Sequence, residues 1–222
     1  MNNPEYQREN LNQAAFEMLL LCQKQLKKVE EAYLTNDTDL AEEVIYKENR
    51  VNALDLKIER DCERFIALFN PVATDLRFIM SILKINYNVE RIGDQAFDIA
   101  NYLVDFENHL DPVLLDKLQF KEMFSQVNAM FNDVIEAYED ENTKAARKVF
   151  KKDKAINKIN KQALKIIANE IKANLEITEQ ALLLFSVIKK LERVGDLLKN
   201  ISESIIFYLD AEVLVHKKKK GK

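Results

Sequence analysis

Glycine and proline occur only three times each in this 222-residue chain, and cysteine and histidine only twice each. So little turn-forming material, with no run of regular turn signals, excludes an all-β architecture. The same scarcity leaves no glycine-rich phosphate loop and no nucleophile elbow. Cys22 and Cys62 lie in helical patterns without disulfide or zinc spacing, so they read as buried thiols of a reducing compartment. His109 and His216 cannot build a structural zinc shell or the two Glu-x-x-His pairs of a ferritin-like di-iron oxidase. Nothing in the chain compels catalysis, and no catalytic residue is assigned.

Two further absences narrow the setting. No apolar run approaches the roughly 18 residues that span a bilayer, and the start, Met-Asn-Asn-Pro-Glu, lacks the basic and apolar regions of a signal peptide. A cytoplasmic protein is expected. The 33 basic residues nearly balance 37 acidic ones, for a formal charge of −4, which gives no electrostatic footprint for nucleic acid. The exception is the basic tail, residues 217–222, read as a solvated segment that touches acidic lipid peripherally at most.

What the chain does contain is helical periodicity. Apolar residues recur at helix spacing from about Glu5 to Leu34, then pause at the polar segment Thr35–Asp39, which is rich in capping residues. A second helix runs to about Phe69, where Asn70-Pro71 reads as a cap followed by a proline in first helical position, opening a third helix that ends near Phe106. Asp111-Pro112 repeats the device, and three more helices are expected over about 112–140, 143–173 and 177–209. At 1.5 Å per residue, helices of roughly 30 residues are about 45 Å long. Short connections between long helices favour antiparallel neighbours. The fold class is therefore all-α, with two tandem three-helix bundles, residues 1–108 and 109–216.

The two glycines outside the tail sit in near-identical pentapeptides, Glu90-Arg91-Ile92-Gly93-Asp94 and Glu192-Arg193-Val194-Gly195-Asp196. This marks an internal duplication. A glycine inside a helix costs about 1 kcal/mol relative to alanine, so its recurrence implies close approach, either by a neighbouring helix or by a bound group. In each copy a second carboxylate follows four residues after the first, and Asp98 or Asn200 stands one turn further on. Like charges at that spacing cost roughly 0.2–0.5 kcal/mol per pair, which calls for a cation.

On the third helix, Leu76, Met80, Leu83, Tyr87, Glu90, Asp94, Asp98 and Asn101 share one stripe, opposite a core face of Ile85, Val89, Ile92, Ala96, Ile99 and Leu103. Folding the second helix back about Asn70-Pro71 brings Glu48 level with residues 90–94 and Asn52 level with Val89 and Glu90, with Asp55 continuing the stripe. In the second half, a fold about Asn174 places Asp153 opposite Asp196 and Asn157 opposite Glu192. Clusters made only of oxygen donors suit six-coordinate cations such as Mg²⁺, Mn²⁺ or Fe. The bland alternative is a solvated acidic face partnered by Arg91, Arg193 and nearby lysines. Repetition of the arrangement favours metal.

The motifs resemble those of the PhoU family, regulators of high-affinity phosphate uptake in bacteria. The resemblance rests on Val89-Glu90-Arg91-Ile92-Gly93-Asp94 with Asp98-Ile99-Ala100, on its echo Leu191 to Asp196 with Asn200-Ile201-Ser202, and on Asn70 to Arg77. It implies a non-enzymatic cytoplasmic adaptor that negatively controls phosphate uptake and starvation signalling through the phosphate ABC transporter's ATPase subunit and a sensor histidine kinase. It also implies a homodimer and a divalent or trivalent metal ion, Fe, Mn, Mg or Zn. By resemblance the ligand pairs fall on Glu90 with Asp94 and Glu192 with Asp196, faced by Glu48 with Asn52 and Asp153 with Asn157. The asparagines replace the family's acids in the last place of each facing pair. Arg77 is a candidate partner contact, while Asp75 has a sufficient role as a first-turn acid. Rival readings are a metal-dependent helical hydrolase or oxidase and a metal-free scaffold.

Overall fold

The structure, a computed structural model, describes residues 3–214. His216 and the basic tail lie outside the described residues. Helices α1 (Pro4–Thr35), α2 (Thr38–Phe69) and α3 (Ala73–Val104) form the first half. The second half comprises α4 (Pro112–Lys117), α5 (Phe120–Glu139), α6 (Thr143–Ala173) and α7 (Thr178–Asp210), with a 3-10 turn at Leu175–Ile177. No strand occurs among the described residues.

The polar breaks end and start helices as their side chains dictate. Asn36 takes the left-handed conformation that closes α1, and the Asp37 carboxylate accepts from Leu40 N–H to open α2. Asp111 accepts from Val113 N–H ahead of Pro112, and Asn142 accepts from the N–H groups of Lys144 and Ala145.

The Asn70-Pro71 turn works differently from the sequence expectation. Asn70 is the left-handed C-terminal residue of α2, its N–H donating to Ile66 O, and α3 begins two residues past the proline without a side-chain cap. Asparagine tolerates positive φ, and proline commonly follows a helix end because it cannot continue one. The helix expected over 112–140 is also two helices. Gln119 adopts φ 52°, a left-handed break that lets Leu114, Leu118 and Phe120 all enter the core, Phe120 against Tyr33 at 5.4 Å between ring centroids.

Core positions on α3 follow the predicted stripe: Ile85, Val89, Ile92, Ala96, Ile99 and Leu103 are all buried, while Leu76, Met80 and Tyr87 on the other face are exposed. The halves are not separate bodies. α3 packs along α7 as well as along α1 and α2, α1 touches α5, and a single apolar cluster runs through both halves. Burial of this shared seam, at roughly 25 cal/mol per Å² of apolar surface, joins the repeats and leaves α2 and α6 on the two flanks.

Candidate functional site

On the first flank, α2 lies antiparallel to α3 in the register expected from the turn. Asn86 on α3 donates to Asp55 Oδ1 at 2.7 Å, and about two turns further along Glu48 meets the Gly93 station. A β-carbon on Gly93 would stand 2.9 Å from Val51 Cγ1, 3.6 Å from Glu48 Oε2 and 3.6 Å from Cys22 Sγ. The glycine is thus a contact surface for α2, and its lack of a side chain lets Glu48 reach the acids of α3.

Glu48 is only 8% exposed, and neither carboxylate oxygen receives a hydrogen bond from any donor among the described residues. Its carboxyl group lies at hydrogen-bonding reach of Asp94, a contact that is favourable only with a proton or a cation between them. Burial, then the charges of Asp94 and Glu90, push the Glu48 pKa up to about 7. Glu90 and Asp94 are raised too, first by burial, then by Asp94 on Glu90 and by Asp98 on Asp94. Asp55 is raised by burial and by Glu59. Four carboxyl groups at one helix junction therefore favour protonation, the electrostatic signature of missing positive charge.

The second flank repeats the backbone arrangement with different electrostatics. Gly195 faces α6, where a β-carbon would stand 3.2 Å from Ile156 Cδ1 and 3.9 Å from Asp153 Oδ1. Between Asp153 and Asp196 lies the Lys199 ammonium, 3.1 Å from Asp153 Oδ2 and 2.7 Å from Asp196 Oδ1. Asn157 donates to Asp153 Oδ2 at 2.7 Å, and Glu192 pairs loosely with Lys189 at 3.8 Å. Burial lowers the Lys199 pKa, but its bonds to Asp196 and Asp153 outweigh that and leave it raised.

The third member of each predicted triplet turns elsewhere. Asp98 Oδ2 binds Lys190 Nζ of α7 at 2.5 Å, and Asn200 donates to Asn88 Oδ1 of α3 at 3.1 Å. Both thus serve the seam between the repeats. Asp98 still adds negative charge to Asp94 and Glu48. Asn52 is exposed and takes no part in the Glu48–Asp94 contact. Arg77 bonds Thr74 Oγ1 at 3.2 Å on its own helix, with a buried Nε lacking a partner.

Among the described residues, no three Asp, Glu, His or Cys side chains form a set closed enough to hold a metal ion as they stand. The first cluster nonetheless fits a hard cation in chemistry: a buried, donorless carboxylate in contact with a second one, and Glu90 nearby. Mg²⁺-like ions are commonly held by one or two carboxylates with water completing the shell. The second cluster does not present that opening, because an ammonium group stands between its acids. Lys199 and Asn86 were missed by reading the motifs alone. Lys199 could have been found as the position where the duplication breaks, since its counterpart in the first motif is Phe97.

These features define a two-repeat helical-bundle protein with one carboxylate station per repeat. A family model described as the PhoU domain matches residues 16–103 and again 120–205. The chain belongs to the PhoU family. A phosphate-specific transport system accessory protein PhoU homolog of Aquifex aeolicus is 31% identical over 215 residues, with 96% of each chain covered. The homolog of Clostridium acetobutylicum is 31% identical over 204 residues, covering 90% of this chain and 91% of the relative. Among solved structures, PhoU from Pseudomonas aeruginosa superposes with a TM-score of 0.90 at 26% identity, covering 95% of this chain and all of that one. The phosphate transport system regulatory protein PhoU from Streptococcus pneumoniae gives 0.83 at 25% identity, covering 96% of this chain and all of that one. No helix among the described residues is long and apolar enough to cross a membrane.

Proposed function

We propose that this protein is a non-catalytic accessory regulator of phosphate transport. It holds back phosphate uptake and the starvation response by contacting the transporter's ATPase subunit and a membrane sensor histidine kinase from the cytoplasmic side, as a homodimer. Full-length similarity to relatives named as phosphate-specific transport accessory proteins supports the transport role.

The observation that carries the site is buried Glu48, donorless and touching Asp94 across α2 and α3. Glu48 and Asp94, with Glu90 beside them, would hold a divalent or trivalent ion. A bound ion would supply the positive charge this junction lacks. The residues' own contribution is mechanical: they tie α2 to α3 and so set the outer face that α2 presents to a partner.

The test is genetic and biochemical together. In cells lacking the protein, a phosphate-starvation reporter should be expressed in high phosphate, and the wild-type chain should silence it while co-purifying the ATPase subunit. Asp94→Asn should silence it less well. A reporter indifferent to the deletion would remove the regulatory reading. Adding Mn²⁺ to chelator-treated protein should raise its melting temperature by mass action, and no shift would remove the metal.

A further inference from the structure

The duplicated motif breaks at one chemically decisive position, Phe97 in α3 against Lys199 in α7. We propose that Lys199 is a resident cation, a tethered replacement for a metal ion, so that the chain carries one metal centre, in its first half, and a metal-independent staple in its second. The contrast with the first half rests on the metal reading given above; the assignment to Lys199 stands on the second flank alone.

The geometry supports the substitution of one cation by the other. The Lys199 nitrogen bridges Asp153 on α6 and Asp196 on α7 at 3.1 and 2.7 Å, joining the same two helices that a shared ion would join. The side chain is 18% exposed and Asp153 14%, so the pair is shielded from bulk water. Asn157 donates to the same Asp153 oxygen, so Oδ2 has two partners, while Oδ1 is buried without one among the described residues. A metal entering here would have to displace an ammonium that is covalently held in place and sits on the helix carrying Asp196. Such a tethered cation loses no translational freedom on binding, whereas a free ion does. Like charges also exclude one another at these distances.

On the first flank no lysine among the described residues reaches the contact between Glu48 and Asp94. The nearby ammonium of Lys190 goes to Asp98, and Arg91 leans over the Tyr87 ring, its guanidinium carbon 5.4 Å from the ring centroid. The two repeats therefore solve the same electrostatic problem in two ways. The first is responsive to a dissociable ion, and the second is permanently closed.

The full chain, freed of metal by chelator and then titrated with Mn²⁺, tests this by equilibrium dialysis. Glu48→Gln should weaken manganese binding at least tenfold, whereas Asp196→Asn should leave it within twofold of wild type. Lys199→Met should add a second bound manganese that Asp196→Asn removes again. Loss of wild-type manganese in Asp196→Asn, or no gain in a folded Lys199→Met, overturns the proposal. If Lys199→Met does not fold, the Asp196→Asn comparison decides alone. If wild type binds no manganese, the metal reading of the first half fails, while the gain or absence of gain in Lys199→Met still decides the role of the lysine.

Discussion

Phe97 and Lys199 occupy the same place in two copies of one helical motif, and almost everything that separates the two flanks follows from that difference. The first flank gathers Glu48, Glu90 and Asp94 with no ammonium of the described residues in contact, and all three carboxyl groups are pushed toward protonation. The second flank gathers Asp153 and Asp196 around Lys199. The same scaffold thus carries an acidic cluster without a bridging ammonium on one side and one bridged by an ammonium on the other. A duplicated fold keeps its packing by conserving backbone approach at Gly93 and Gly195, while its charges diverge independently.

The comparison breaks most visibly if the bridging lysine is removed. Lys199→Met leaves a shielded Asp153 facing Asp196 without a cation, and removal of one partner from a partly buried pair should cost about 1–3 kcal/mol, less than the fully buried case because Asp196 is partly exposed. Urea denaturation would measure it. An unchanged midpoint would show that the second flank is no more neutralised than the first.

The glycines give the next contrast. Gly93→Ala drives a methyl group to 2.9 Å from Val51 Cγ1, and overpacking of roughly 1–3 kcal/mol exceeds the gain of about 1 kcal/mol in helix propensity. Gly195→Ala comes no closer than 3.2 Å, to the terminal carbon of Ile156, so the two effects nearly cancel. Melting temperatures should fall for the first variant and stay close to wild type for the second.

Neutralising the buried acid should act in opposite directions on the two flanks. In metal-free protein, Glu48→Gln relieves repulsion and should stabilise by roughly 1 kcal/mol, the scale of one unit of pKa, while Asp153→Asn should destabilise. The pH profile sharpens the point. Glu48 is raised from 4.5 to about 7 in the folded state, so its contribution to stability is complete below about pH 4.5 and is lost as pH rises through 7. Over that window metal-free wild type should lose stability with a slope of no more than about 1.4 kcal/mol per pH unit from this proton, and Glu48→Gln should flatten the slope. A profile identical in the two proteins would remove Glu48 as the titrating group.

The smallest effect is expected at the seam. Asp98→Asn removes the ion pair with Lys190, whose acid is 44% exposed, and exposed pairs are worth roughly 0–1 kcal/mol. A loss well above that would mean Asp98 belongs with the buried cluster, as the helical stripe alone suggested.

Much of the architecture was written locally. Caps at Asp37, Asp111 and Asn142, the apolar face of α3 and the pairing of α2 with α3 and α6 with α7 all follow from spacing along the chain. The exceptions have local physical causes that single-residue signals cannot separate: Asn70 is equally competent to end a helix or begin one, and Gln119 bears no mark of the left-handed break that the core around Phe120 requires.

The sequence by itself determined a duplicated all-helical chain with an acidic pair at the same point in each copy, because helical period and capping depend on neighbours within a turn. Only the tertiary structure decided which side chains answer those acids. It buried Glu48 without a donor, sent Asp98 and Asn200 across the seam to Lys190 and Asn88, and laid Lys199 between Asp153 and Asp196. A lysine three residues from an aspartate reads the same whether it faces water or a second helix, and the difference is made by what packs against it.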